Sequence, residues 1–271
     1  MPMDFSGRAV LVTGATRGIG AAIAMAFARA GAHVTITARD LARGWSVRQE
    51  LEQTGATLEV IEADLSATRK YDDIVAAASE RLGRLDVLVN NAAVIPRDRA
   101  VGILETTDDE WFETMTVNVD AVFGLSRAAA RVMKDQGAGV IVNIASEMGL
   151  FADAVAIPYA VSKAAVIHMT RALALDLAPF GVRVNAIAPG ETRTAMMEEG
   201  LRARGIDVDE GLRRLAGRVP LKRIASVDEV AASVLFMASD AASYITGAVL
   251  THDGGTTATG PGGTVADHLA V

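Results

Sequence analysis

The sequence contains no cysteine among its 271 residues. This absence excludes disulfide bonds, thiolate nucleophiles and metal sites built from cysteine, and no metal site is predicted. Aromatic residues make up only 4% of a chain that is 51% hydrophobic, so the core must consist mainly of Ala, Val, Leu and Ile. No apolar run approaches the ~18 residues that a membrane-spanning helix needs.

Positive charge is also scarce, because 26 Lys and Arg residues stand against 33 Asp and Glu residues and leave a formal net charge of −7. An acidic chain of this kind is poorly suited to bind nucleic acid or an anionic membrane. The first five residues lack the basic and then apolar stretch of a secretory signal. The sequence therefore predicts a cytoplasmic protein with neither nucleic acid nor membrane as a partner.

Short runs of β-branched residues alternate with alanine-rich stretches, which is the pattern of repeated β-α-β units. With right-handed crossovers, these units predict an α/β fold, namely a doubly wound, seven-stranded parallel sheet with helices on both faces. Strands are predicted at residues 9–12, 33–37, 57–62, 86–90, 139–144, 183–187 and 249–251. Helices are predicted at residues 18–30, 41–53, 70–82, 108–134, 157–178 and 227–238.

The alternation shows no internal repeat and no linker, so residues 1–271 are predicted to form one domain. Residues 191–219 interrupt the pattern with many Arg, Glu, Gly and Met residues, and we expect a helical insertion that covers the active site. The tail at residues 256–271 is rich in Gly and Thr and is predicted to be partly flexible.

Tyr159 and Lys163 lie four residues apart in a predicted helix, so both side chains occupy one face of it. Tyrosine is a poor acid or base at neutral pH because its ordinary pKa is about 10. A nearby ammonium favours the phenolate and lowers that pKa toward the working range. Ser146, thirteen residues before the tyrosine, adds a hydroxyl for a substrate oxygen. Taken alone, the pair could equally be a packing tyrosine and a solvated lysine.

Gly14, Gly18 and Gly20 stand between the first predicted strand and the first predicted helix. Glycines let the backbone turn tightly and approach a pyrophosphate, which the helix amino terminus attracts. Their spacing differs from the general Gly-x-Gly-x-x-Gly dinucleotide pattern, and a simple tight turn is the alternative. Asn91, after the fourth strand, could brace this loop. Asp64, after the third, could accept a hydrogen bond from an adenine amino group or cap a helix.

Six motifs then occur in order between about residues 7 and 255. They are Thr13-Gly14-x-x-x-Gly18-Ile19-Gly20, Asn90-Asn91-Ala92-Ala93, Ser146, Tyr159-x-x-x-Lys163, Pro189-Gly190 and Asp253-Gly254-Gly255. This set resembles the classical short-chain dehydrogenase/reductase family, in its branch of 3-oxoacyl-[acyl-carrier-protein] reductases and carbonyl reductases. The resemblance implies a single Rossmann-type domain of seven parallel strands that binds NAD or NADP and transfers a hydride from the B face of the nicotinamide.

The same resemblance implies a role for each site residue. Tyr159 would exchange a proton with the substrate oxygen, Ser146 would hydrogen-bond that oxygen, and Lys163 would lower the tyrosine pKa and hold the nicotinamide ribose. Asn118 would support a water chain to the lysine, although alone it would be an ordinary helix amide. The implied cofactor-binding residues are Gly14, Thr16, Arg17, Gly18, Ile19, Gly20, Arg39, Asp64, Leu65, Asn91, Ala92, Tyr159, Lys163, Pro189, Gly190, Thr192 and Thr194.

The choice of cofactor depends on the end of the second strand. Ala38 occupies the place of the acid that binds both ribose hydroxyls in NAD enzymes, and Arg39 follows it. Together with Arg17, it offers two guanidinium groups to a 2′-phosphate, which favours NADP(H) over NAD(H). A charge-assisted hydrogen bond of about 1.5–3 kcal/mol corresponds to about tenfold to hundredfold in preference. The alternative is that both arginines are surface residues and that Asp40 binds the ribose of NAD.

The predicted substrate pocket is mostly apolar, with flexible methionines on its lid, and suits a medium-sized ketone or alcohol. Glu191 departs from the apolar residue usual there and either contacts a polar group or faces solvent. The residues predicted to line the pocket are Ile95, Ser146, Met148, Phe151, Glu191, Met196 and Met197.

Relatives that reduce 3-oxoacyl chains on acyl carrier protein usually carry basic docking residues at two places that here read Gly137 and Phe180. Docking an acidic carrier is less favourable without those charges. We therefore predict a free small-molecule substrate, with 3-oxoacyl-[acyl-carrier-protein] reduction as the alternative and NAD-dependent sugar or polyol oxidation as a second one.

A regulatory protein that senses NAD(P) without catalysis is the non-enzymatic alternative, and the intact Ser146, Tyr159 and Lys163 count against it. Helices 108–134 and 157–178 are rich in alanine on much of their surface. The family pairs such helices between subunits, so the resemblance implies a homotetramer.

Overall fold

The computed structural model describes residues 3–42, 44, 47, 49, 58–95, 102–152 and 156–259. Its strands are β1 (Ala9–Val12), β2 (His33–Ala38), β3 (Leu58–Glu62), β4 (Val87–Asn90), β5 (Gly139–Ile144), β6 (Val182–Pro189) and β7 (Val249–His252). Within the described chain they form one parallel sheet in the order β3-β2-β1-β4-β5-β6-β7. The predicted fold class is confirmed.

The described helices are α1 (Gly18–Arg29), α2 (Tyr71–Glu80), α3 (Asp108–Met115), α4 (Ala121–Gln136), α5 (Ile157–Leu177), α6 (Ala195–Ala203), α7 (Val208–Arg218) and α8 (Val227–Ala238). The helix predicted at 41–53 lies mostly outside the described residues, and its described positions 41, 42, 44, 47 and 49 are helical. Across the described ranges, no helix has both the length and the apolar character needed to span a membrane.

Several predicted strands differ from the observed ones at their ends, among them β6 and β4. β6 extends beyond the predicted 183–187 because it is paired along both edges, from Val182 beside Gly139 to Pro189 beside His252. β4 begins one residue later than predicted, after Asp86, whose side chain binds the first residue of β1. The Asp86 carboxylate accepts a hydrogen bond from the Ala9 backbone N–H at 2.8 Å.

The long helix predicted over 108–134 is wrong in one respect, since it is not a continuous α-helix. A π-helical segment, Thr116–Asp120, separates α3 from α4 and contains Asn118. A π turn holds one extra residue and is frequent at functional sites. The side chain of Asn118 binds the backbone of Val94 and the hydroxyl of Ser162, which ties this segment to two other parts of the chain.

The sheet lies between two apolar layers, as the composition predicts. On one face Ile23 and Phe27 of α1 pack with Val234 of α8, all completely buried. On the other, residues of α2, α4 and α5 pack together, and Gly124 of α4 leaves no room for a Cβ beside the ring of Tyr71. Each fully buried large aliphatic side chain contributes about 1.5–3 kcal/mol through removal of apolar surface from water.

Residues 191–219 contain α6 and α7, between β6 and α8. The segment begins with a bridge from Thr192 to Ala225. Thr194 caps α6, its hydroxyl accepting a hydrogen bond from the Met197 backbone N–H at 3.2 Å. These contacts position the start of α6 above the carboxyl ends of the strands. Of the predicted tail, residues 256–259 are described and the rest lies outside the described residues.

Candidate active site

The carboxyl ends of the strands border a cavity of about 380 Å³. Residues after β1 and β4 meet there, where the strand order reverses, which is where open α/β sheets bind their ligands. The structure places every predicted cofactor residue in the cavity wall. These residues are Gly14, Thr16, Arg17, Gly18, Ile19, Gly20, Arg39, Asp64, Leu65, Asn91, Ala92, Tyr159, Lys163, Pro189, Gly190, Thr192 and Thr194.

The predicted substrate residues are brought to the same cavity with one exception. Ile95, Ser146, Met148, Glu191, Met196 and Met197 line its wall. Phe151 is not among the residues of the wall, and its side chain is 40% exposed. Phe151 follows the 3-10 turn after Ser146, and its backbone N–H donates to the Glu147 carbonyl at 3.2 Å.

Close packing shapes the glycine loop. Gly14 and Gly18 have φ of +62° and +58°, a region that favours glycine. A Cβ at Gly20 would lie 2.5 Å from the Gly14 carbonyl oxygen and would collide with the side-chain amide of Asn91. That amide donates to the carbonyl oxygens of Thr13 and Gly14 at 2.9 and 3.0 Å. Asn91 therefore braces the loop.

Two arginines line the cavity near the ends of β1 and β2. Arg17 precedes α1, whose amino terminus has no side-chain cap, and Arg39 follows β2. One nitrogen of Arg17 lies 3.5 Å from a carboxylate oxygen of Glu199 on α6. Hydrogen bonds from the side chain and backbone of Ser66 lower the pKa of Asp64, and the charge of Arg39 lowers it further.

Asp64 also stabilises the turn that follows β3. Its carboxylate accepts from the Ser66 backbone N–H at 2.9 Å and from the Ser66 hydroxyl at 2.7 Å. Asp64 therefore closes a turn and does not cap a helix, since the next helix, α2, has Lys70 at its N-cap position. The residue still lies in the cavity wall, so the turn and the cavity share it.

Ser146 lies two residues after the end of β5, where it caps a 3-10 turn, Glu147–Gly149. Its hydroxyl oxygen accepts from the Met148 backbone N–H at 3.2 Å, which leaves the hydroxyl proton available for another acceptor. The side chain is only 8% exposed and lines the cavity. A hydroxyl in this place can donate to a substrate oxygen.

Tyr159 and Lys163 lie in the first two turns of α5 and share the cavity wall. The lysine ammonium lies 5.5 Å from the centre of the tyrosine ring. Burial lowers the pKa of Lys163 to about 8, because a charged ammonium loses its hydration there. At neutral pH the side chain still carries its charge, so an ammonium lies beside the tyrosine.

Asn118 lies next to the cavity rather than in its wall. The side chain is buried, accepts from the Val94 N–H at 2.8 Å and donates to the Val94 carbonyl at 2.9 Å. It also donates to the hydroxyl of Ser162 at 3.0 Å. These bonds join the segment after β4 to α5, and so hold the two sides of the cavity together.

Glu147 is a residue of the wall that the sequence analysis missed. Its side chain is 9% exposed, and its Oε2 has no hydrogen-bond partner among the residues that the structure describes. Burial, with the negative charges of Glu191 and Asp253, raises the pKa of Glu147 to about 7. The sequence offers only its position immediately after Ser146, which does not reveal that the side chain is buried.

The chain is similar to proteins that are described as dehydrogenases or reductases. A family model described as enoyl-(acyl carrier protein) reductase matches residues 14–257. An uncharacterized oxidoreductase of Thermotoga maritima is 40% identical over 259 residues, which cover 94% of this chain and 100% of that protein. Galactitol 2-dehydrogenase (L-tagatose-forming) of Cereibacter sphaeroides is 41% identical over 254 residues, covering 93% and 95%.

The fold of this chain is also similar to that of a solved structure described as a dehydrogenase. A protein from Beutenbergia cavernae, described as an NAD(P)-dependent gluconate 5-dehydrogenase with bound NADP at low occupancy, superposes with a TM-score of 0.85. It is 41% identical to this chain and covers 96% of it, and the chain covers 100% of that structure.

Proposed function

The chain belongs to the short-chain dehydrogenase/reductase family and is an oxidoreductase acting on CH–OH groups, and we propose that it interconverts a free small-molecule ketone and its secondary alcohol with NADP(H). One observation carries the proposal. A single cavity joins the braced glycine loop to Ser146, Tyr159 and Lys163. The groups for binding a hydride carrier and for moving a proton therefore face one another.

The residues of the loop fit a dinucleotide. Positions 14 and 20 have no room for a Cβ, because it would meet Ala92 at the first and Asn91 at the second, and the closely packed loop of residues 14–20 forms a cradle beside the cavity. The amino terminus of α1 opens at this cradle and attracts a pyrophosphate. When bound, the nicotinamide nucleotide supplies or accepts the hydride.

The residues of the chain itself manage the substrate oxygen and its proton. Ser146 donates a hydrogen bond to the carbonyl oxygen and polarises the bond. The Tyr159 hydroxyl delivers a proton to that oxygen during reduction and takes one back during oxidation. Lys163, held in place by a bond to the sheet, keeps a positive charge beside the tyrosine and favours its phenolate. Asn118 keeps the two sides of the site at a fixed separation.

NADP(H) is favoured by the charges at the ribose end. Arg17 and Arg39 both line the cavity there. Glu199 pairs with Arg17, and both side chains are substantially exposed, so the pair is weak and leaves the guanidinium able to bind a 2′-phosphate. Asp40 stays the residue that would bind the ribose if NAD(H) were preferred.

The substrate is proposed to be a ketone or alcohol with an apolar body. Ile95, Met148, Met196 and Met197 give the wall of the cavity that also holds Ser146 an apolar part. NADPH consumption measured with acetoacetyl esters, cyclic ketones and sugar ketones tests the class directly. Preference for a cyclic or sugar ketone supports a free substrate, and inactivity with all three classes in a protein that binds NADPH contradicts the proposal.

Reduction of a 3-oxoacyl chain on acyl carrier protein is the second candidate, and one contact favours it. Phe180 replaces a basic docking residue, yet the Lys134 ammonium lies 4.8 Å from the centre of its ring. Lys134 therefore supplies a positive charge near position 180, where related reductases carry the docking residue. If the carrier docks here, Lys134→Glu lowers the rate with a carrier-bound thioester and leaves that with a free ketone unchanged.

A homotetramer and a cytoplasmic location stay predictions. Assembly is supported by apolar side chains that α3, α4 and α5 expose, namely Phe112, Phe123, Val161 and Leu175, of which Leu175 is 82% exposed. Light scattering coupled to gel filtration measures the assembly.

A further inference from the structure

A buried carboxyl group lies at the reacting end of the cavity. Glu147 follows Ser146 in the chain and lines the same wall. Its Oε2 reaches under the backbone after β6, where a Cβ at Gly190 would lie 2.5 Å from it. Only a glycine at position 190 leaves space for this carboxyl. The arrangement places a polar group directly beside the serine that is proposed to hold the substrate oxygen.

Two further carboxylates adjoin it, and with Glu147 they form an acidic cluster of three residues, Glu147, Glu191 and Asp253. Asp253 already has hydrogen-bond partners within the protein. Its carboxylate accepts from the backbone N–H of Gly255 and from both the backbone N–H and the hydroxyl of Thr257. Although burial opposes the charged form, these bonds lower the pKa of Asp253, and it stays ionised. Glu191 lines the cavity directly after residue 190.

The acidic cluster is not arranged for a metal. Within the described ranges, no group of three or more His, Asp or Glu side chains is placed to hold a metal ion. A buried carboxyl oxygen that no donor of the described chain reaches, such as Oε2 of Glu147, costs free energy because burial has removed its hydration. Within the described residues, Glu147 therefore brings to the cavity wall a carboxyl with one oxygen that no protein group satisfies.

We propose that Glu147 is a specificity-determining residue whose carboxyl binds a hydroxyl group close to the reacting carbonyl, so that the enzyme takes uncharged hydroxy ketones and diols and discriminates against carboxylated substrates. This inference rests on the proposed carbonyl reduction. A hydroxyl both donates and accepts, so it satisfies the carboxyl in either protonation state. A substrate carboxylate would meet the negative charges of Glu191 and Asp253.

The test compares three matched carbonyl compounds: cyclohexanone, 2-hydroxycyclohexanone and 4-oxocyclohexanecarboxylate. The wild-type enzyme is expected to show the highest kcat/KM with the hydroxy ketone and the lowest with the carboxylate. Glu147→Leu should lower kcat/KM for the hydroxy ketone by about tenfold to hundredfold, the range for one lost buried hydrogen bond, and leave cyclohexanone nearly unchanged. A residue that acted only on folding would lower both rates in parallel.

Glu147→Gln keeps the size and the hydrogen-bonding capacity of the side chain, and so separates bonding from charge. It should retain most of the preference for the hydroxy ketone and raise kcat/KM for the carboxylated compound several-fold. Glu80→Gln, at an exposed glutamate on α2 outside the cavity wall, is the matched control and should behave as wild type.

Two outcomes overturn the inference while the proposed function stands. One is a wild-type enzyme that reduces cyclohexanone and 2-hydroxycyclohexanone equally well. The other is an equal loss on both compounds in both Glu147 variants. If the wild-type enzyme binds NADPH but reduces none of the three compounds, the proposed function fails, and the inference fails with it.

Discussion

The ammonium of Lys163 donates a hydrogen bond of 2.7 Å to the carbonyl oxygen of Ile144, the last residue of β5. Ser146 lies two residues beyond that carbonyl. One buried bond therefore fixes the position of α5 relative to the strand that carries the serine. The lysine is 3% exposed, so the bond and the charge are both shielded from water.

Lys163→Met is expected to lower turnover by about 10²–10⁴-fold, the usual range for acid-base catalysis, because the tyrosine loses the charge that favours its phenolate. The measurement is kcat for the best ketone found. Lys70→Met, at an exposed lysine outside the cavity wall, is the control. Turnover in Lys163→Met equal to that of the control contradicts the role given to the ammonium.

Arg39→Leu is expected to reduce the preference for NADPH over NADH by about tenfold to hundredfold, since it removes one charge-assisted hydrogen bond to the 2′-phosphate. The ratio of kcat/KM for the two cofactors is the measured quantity. Arg29→Leu, at the exposed end of α1, controls for a general change in charge. An unchanged ratio in Arg39→Leu means that the arginine does not select the cofactor.

Gly20→Ala is expected to weaken NADPH binding by at least about tenfold, because its Cβ would displace Asn91 and open the braced loop. Gly217→Ala in α7 has no heavy atom within 4 Å of the added Cβ and should leave binding unchanged. It should raise the free energy of unfolding by up to about 1 kcal/mol, the helix penalty of glycine. Titration of NADPH fluorescence and urea unfolding measure the two effects. Normal NADPH binding by Gly20→Ala would show that the close packing at position 20 is not needed to bind the nucleotide.

Glu147 makes stability depend on pH. Because burial raises its pKa to about 7 from 4.5, the folded protein holds the proton more tightly than the unfolded chain. The stability that this proton contributes is complete below about pH 4.5 and is lost as the pH rises through about 7. The groups that face Glu147 are Glu191 and Asp253, and His252 beside them has its pKa lowered by burial.

The glutamine in Glu147→Gln cannot ionise, so this variant does not lose stability at position 147 as the pH rises. Its free energy of unfolding relative to wild type should therefore rise between pH 5 and pH 8 by about 1–3 kcal/mol, given about 1.4 kcal/mol for each pKa unit and some residual hydration. Urea unfolding at both pH values measures the difference. A constant difference between the two proteins would show that Glu147 has the same pKa in the folded and unfolded chains.

The sequence predicts the parts of the molecule that short patterns determine. The β-branched runs predict every strand of the sheet, and the glycines and polar residues after β1, β3 and β4 predict where the cavity lies. Such patterns miss contacts made across long separations. The π turn at Asn118 is set by bonds to Val94 and Ser162, and the length of β6 by its pairing with β5 and β7.

The same reason explains the differences at the site. Phe151 lies near Ser146 in sequence, yet the 3-10 turn separates the two and only Ser146 lines the cavity. In the sequence, Glu147 is a single acidic residue that no pattern marks as functional. Its environment depends on Gly190 and Asp253, which lie beside it in the fold but are distant in sequence. Neither the burial nor the crowding of charge is visible in a linear pattern.

The most direct test of the proposed catalysis is a comparison of Tyr159→Phe with wild type in two measurements on the same preparation, NADPH consumption with the best ketone and the Kd for NADPH. We expect turnover to fall by at least about a hundredfold, because phenylalanine cannot supply the proton, while the Kd stays nearly unchanged. Full turnover by Tyr159→Phe with normal NADPH binding would contradict the assignment of Tyr159 as the proton donor.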